Sequence, residues 1–146
     1  MRKKISIVSI VFCLLFVSVS AVPSLAGENP GDRAYTPRPG SAERKAILDA
    51  LRAWVTKQHH MDVVFVVRHL KVKNGYAWVH TLPQSRDGSS RYEDISALMK
   101  KVRDVWSVAE IPCAEEENPD CIGDPEYFDG LKKRFPDVPG EILPRP

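Results

Sequence analysis

Two cysteines, Cys113 and Cys121, enclose the seven residues AEEENPD, of which four are acidic. A redox centre normally keeps two residues between its thiols. A structural zinc site needs two more thiolate or imidazole ligands, and the neighbouring sequence offers none. In an oxidising compartment a pair at this spacing is most simply a disulfide. Glu115, Glu116, Glu117 and Asp120 then sit on a closed loop. Calcium is a poor fit, because an EF-hand needs alternating carboxylates and a central glycine. Two readings stand: a solvated acidic surface, or a rigid negative knob stiffened by Asn118-Pro119 that meets a basic partner.

Two further groups could do chemistry. Asn74-Gly75 between β-rich runs is a strong hairpin signal, and a two-residue turn there sets His69 opposite His80. A cross-strand imidazole pair lies close enough to share a metal, but no third ligand is near, so an exposed strand pair is the plainer account. The same strand face carries Lys71, Lys73, Tyr76 and Trp78. It is either an aromatic contact platform or a surface covered by the end of the chain. His59-His60 closes a helix, where a cation suits the dipole. For catalysis the chain has no G-x-S-x-G elbow, no H-E-x-x-H and no phosphate loop. The neighbouring carboxylates Glu93 and Asp94 would point to opposite sides of a strand. No cofactor is implied.

The elements that must position these groups are legible in outline. Residues 1–26 have the order of a cleaved secretory signal, with Arg2, Lys3 and Lys4 before an apolar run and Ser24 and Ala26 after it; a single membrane anchor is the rival. The chain has 21 basic and 19 acidic residues. Losing a leader with three cations and no anion leaves it nearly neutral, so neither nucleic acid nor, after cleavage, a stable membrane anchor is expected. Residues 27–40, rich in Pro and Gly, read as a flexible lead-in, and 41–144 as one small domain.

Ser41 is a good N-cap for a helix whose stripe is Ile47, Leu48, Leu51, Trp54 and Val55. In the hairpin, Leu70, Val72, Ala77 and Val79 form the core face. Val63, Phe65 and Val67 join them only if a bulge near Arg68 shifts the strand by one; without it Phe65 extends an aromatic outer surface. An enzyme's pocket between helix and sheet could be faced by Arg68 and Thr81, though Arg68 at a bulge is the plainer account. Residues 92–111 fit a helical period, with Ile95, Leu98, Met99, Val102, Val105, Trp106 and Ala109 on it; a hairpin turning at Arg103-Asp104 is the competing reading, and periodicity alone favours the helix. Asp124 with Pro125 and Glu126 starts a last helix bearing Tyr127, Phe128, Leu131 and Phe135, and Pro136 ends it. The tail lies along the sheet through Val138, Ile142 and Leu143.

The order GYAWV, ALMKKVRDVWSVAEIPC and YFDGLKKRFPDVPGEILP resembles an uncharacterised family of small exported bacterial proteins over about residues 42–144. In that pattern a strand, a tight turn and a strand ending in W-x-V-x-E occupy the uncertain segment, matched by Trp106, Val108 and Glu110. The resemblance implies an α+β fold: an N-terminal helix on a four-stranded antiparallel sheet, similar to cystatin-like and nuclear-transport-factor-like layouts, with a short C-terminal helix beside the disulfide. Architecture alone carries no function. The function expected is that of an exported, non-enzymatic protein, periplasmic or secreted, that binds another exported or envelope protein, for example as inhibitor or accessory of a secreted hydrolase. The alternative is a small enzyme or ligand-binding domain with a pocket between the first helix and the sheet.

Overall fold

Ser41 opens the first helix as its sequence implies. In the computed structural model, which describes residues 33–113, 121–122 and 126–144, its hydroxyl accepts from the Arg44 amide at 3.3 Å. Helix α1 spans Ala42–His59 and ends with His60 in the left-handed region, its N–H donating to the Thr56 carbonyl. Of the predicted stripe, Ile47, Leu51 and Val55 have no exposed surface, Leu48 packs against the core, and Trp54 is half-buried beside His59.

Strands β1 (Val64–Lys73), β2 (Tyr76–Gln84), β3 (Ile95–Val102) and β4 (Val105–Glu110) form one antiparallel sheet in the order of the chain. The first turn uses Asn74 and Gly75, both at positive φ, and the register sets Val72 opposite Ala77, Leu70 opposite Val79 and His69 opposite His80. The bulge is present between Val67 and His69. It turns Phe65 and Val67 onto the face that holds Leu70 and Val72. Arg68, the extra residue, is exposed.

The segment with two sequence readings is a hairpin. Arg103 and Asp104 make its turn at φ 49° and 65°, a region that costs a non-glycine residue about 1 kcal/mol. Pairing along two long strands and burial of Trp106 outweigh that cost. A second bulge lies in β4: Leu98 pairs with Glu110 and Met99 with Val108, so Ala109 is extra. Trp106 and Val108 stay under α1, while Glu110 is turned to the opposite face.

Each face of the sheet carries a core. On one, Ile47 and Leu51 of α1 meet Leu70, Val72, Ala77, Val79, Ala97, Met99 and Trp106. On the other, helix α2 (Tyr127–Arg134) and the tail supply Tyr127, Leu131, Val138, Ile142 and Leu143 against Tyr76, Trp78 and Leu98. The tail ends in a short 3-10 turn, Gly140–Ile142. The fold is therefore α+β, stapled by the disulfide between Cys113 and Cys121.

Two expectations need correction. The last helix begins at Tyr127 with Glu126 at the N-cap and no side-chain cap bond; Asp124 and Pro125, expected to start it, lie outside the described residues. The lead-in is not featureless over residues 33–40. Tyr35 pairs with Val72 of β1, donating at 3.0 Å and accepting at 2.7 Å, and its hydroxyl donates to Glu43. An edge strand leaves its outward amides and carbonyls open, which gives a passing extended segment something to bind.

Candidate functional site

The acidic loop is best approached from its base. Cys113 follows the end of β4 by a few residues and is exposed, whereas Cys121 is fully buried. Their Cα atoms are 4.6 Å apart, and the Ile122 amide donates to the Cys113 carbonyl at 3.0 Å. Ile122 then packs into the core under α2. Glu115, Glu116, Glu117 and Asp120 lie outside the described residues.

A second tie holds the same two elements together. The Glu110 carboxylate, turned toward α2 by the β4 bulge, accepts from the Tyr127 hydroxyl at 2.6 Å and from Arg134 at 3.0 and 2.6 Å. Burial acts to raise the Glu110 carboxyl, but the bonds from Arg134 and Tyr127 together outweigh it and hold the group below its ordinary value. Burial, then the bond to Glu110, pushes the Tyr127 phenol well up, so it stays a donor. Nothing in the sequence pattern singles out Glu110 for this part, because plain alternation would leave it under α1.

The other sequence-derived candidates are dispersed. Tyr76 and Trp78 are not a contact platform: they are 6% and 1% exposed, beneath α2 and the tail. Phe128 meets the Trp78 ring edge to face at 5.5 Å, and the apolar area gained by covering two aromatic rings explains why the tail lies there. His69 and His80 are opposite each other, yet each is bound elsewhere. His69 Nε2 bonds the Ile142 carbonyl at 3.0 Å, and His80 Nε2 bonds Asp94 at 2.6 Å. Among the described residues no three His, Cys, Asp or Glu side chains group to hold a metal.

The layer between α1 and the sheet is filled by buried and half-buried apolar side chains. Thr81 is fully buried, and its hydroxyl donates to the Ile95 carbonyl at 3.5 Å. Among the described residues, the cluster that fills this layer contains no carboxylate and no histidine. Among the described residues no helix is long and apolar enough to cross a membrane. No family model, curated protein or solved structure matches the chain.

Proposed function

We propose that this chain is an exported, non-catalytic binding protein, of the small bacterial family it resembles, whose contact element is the acidic loop between Cys113 and Cys121. The observation that carries the reading is the anchoring of the loop. A disulfide with one fully buried cysteine closes it, and the Glu110 network clamps β4 to α2 on either side. A segment whose ends are fixed loses little freedom on binding, so more of its contact energy appears as affinity. Three consecutive glutamates and Asp120 then suit a basic surface on another exported or envelope protein, of which a secreted hydrolase under inhibition is one concrete form.

The test is capture from the exported fraction by the oxidised protein, run beside the Glu115→Ala/Glu116→Ala/Glu117→Ala variant after circular dichroism has matched their folds. The expected result is one identified partner held by the native protein, released as salt screens the contact, and lost with the variant. Equal capture by both proteins would reduce the loop to a brace and end this reading.

A further inference from the structure

The open edge of β1 carries a second feature of opposite charge. The N-terminal arm pairs with that edge at Tyr35 and Val72. Continuing the antiparallel pairing would set Pro37 opposite Leu70, and proline has no amide hydrogen to give. The Pro37 carbonyl is instead bound by Arg44 Nη1 at 3.2 Å, and the pairing stops. In an antiparallel strand the backbone groups of alternate residues point to the same edge. The Leu70 amide therefore faces outward like that of Val72, just after the bulge at Arg68.

Between the arm and the strand lies a groove of about 340 Å³, lined by Thr36, Pro39 and Arg44 together with Arg68, Leu70 and Lys71. Its charged lining has one sign. Arg44, Arg68 and Lys71 reach it, with His69 beside them, and no carboxylate does. Among the described residues neither the Arg68 nor the Lys71 side chain has a hydrogen bond or an ion pair. Elsewhere on the surface Lys45 and Arg52 share Asp49, Lys73 meets Glu141 and Arg86 meets Asp62. The adjoining hollow along α1, of about 290 Å³, differs in holding a carboxylate: its Lys45 and Arg52 both bond Asp49.

Unneutralised cations around a concavity, with a backbone donor at its wall, concentrate field where a small anion can sit. We propose that this groove is a binding site for a compact oxyanion, the phosphate or carboxylate group of a small molecule or polymer. Arg68 and Lys71 grip it, Arg44 approaches from α1, and the Leu70 amide donates. Arg68 reaches the groove because the bulge sets it off the regular strand, so the irregularity that aligns the core also supplies the ligand contact. This site is separate from the acidic loop and stands or falls without it.

The experiment is an amide NMR titration of the oxidised full chain at constant, low ionic strength, with inorganic phosphate in one arm and succinate in the other. The expected result is saturable shifts confined to Thr36, Arg68, Leu70 and their neighbours. Affinity should fall by about tenfold or more in Arg68→Gln/Lys71→Gln, as loss of charge-assisted bonds requires, with the rest of the spectrum unchanged. Saturation by phosphate alone assigns a phosphoryl ligand, by succinate alone a carboxylate, and by both an unselective oxyanion site. Should the double variant disturb the bulge, Lys71→Gln alone must still weaken binding. No saturable shift in either arm, or shifts that survive both variants, would overturn the proposal.

Discussion

Replacing Glu110 tests how α2 is held to the sheet. In Glu110→Ala the Tyr127 hydroxyl, on a side chain only 1% exposed, loses the acceptor it reaches at 2.6 Å. Leaving a buried hydroxyl unsatisfied costs about 1–3 kcal/mol. Arg134 is 42% exposed and Glu110 20%, so the freed guanidinium is rehydrated and the lost ion pair adds less than about 1 kcal/mol. Glu110→Ala should therefore cost about 2–3 kcal/mol, and Glu110→Gln, which keeps an acceptor, about 1 kcal/mol. In urea unfolding of the oxidised protein, with a slope near 1 kcal/mol per M, the midpoints should fall by about 2–3 M and about 1 M at unchanged slope. Because the Glu110 carboxyl is held below its ordinary value of 4.5, its contribution is present above that value. It is lost as pH falls through the lower folded value, so the gap between native protein and Glu110→Gln should close in acid. A cycle with Tyr127→Phe should show coupling of about 1 kcal/mol. If Glu110→Ala costs under about 0.5 kcal/mol, or the cycle is additive, the bulge in β4 does not serve to clamp the helix.

Asp104→Gly should stabilise the protein by about 1 kcal/mol, because glycine accepts a left-handed backbone without a side-chain clash. The Lys101 contact it removes, at 3.4 Å to a carboxylate 97% exposed, is worth little. Thermal melting should rise by about 4–8 °C, and no rise would mean that the turn is unstrained. Cys113→Ser/Cys121→Ser should cost roughly 2.5 kcal/mol through the freed loop entropy; calorimetry on native and variant protein checks this, and equal stability would reduce the staple to a passive link. The hydrogen bond to Glu43, with burial and the Glu43 charge, raises the Tyr35 phenol from 10.0 to about 12. Its share of stability is therefore full below 10.0 and lost as pH rises through about 12. Tyrosinate absorbance should show this late step and lose it in Tyr35→Phe, whereas titration at the ordinary value would mean that the arm is not docked.

The parts of the fold that local chemistry encodes were legible. Asn74-Gly75 fixes its own turn and with it the His69–His80 register. The need to put Phe65 and Val67 with Leu70 required an extra residue near Arg68. Residues 92–111 were ambiguous for a physical reason. The sheet is covered on both faces, so Ala97, Leu98 and Met99 are all fully buried, and the period of two that marks a half-buried strand disappears. A turn of Arg103 and Asp104, without glycine, removed the other cue. Tyr76 and Trp78 were ambiguous in the same way, since strand alternation shows which face they share and not what covers it. The Glu110 clamp was hidden because the extra residue in β4 is an alanine, as unmarked a residue as a bulge can have. The groove was hidden because Arg44 and Arg68 lie on different elements and converge only once the arm has docked.

The second core is closed by the last described stretch of the chain, residues 127–143. A polypeptide that emerges N-terminus first, from a ribosome or through a translocation channel, can complete the meander of four neighbouring strands and seat α1 before that stretch arrives. Until then Trp78, Tyr76 and Leu98 face solvent across a finished sheet. Such an intermediate exposes apolar surface and is prone to associate. Trp78 is then an intrinsic reporter, because its fluorescence should change at the step when Phe128 closes over its ring. Chains truncated before Tyr127 should keep their hairpins but recruit holding chaperones.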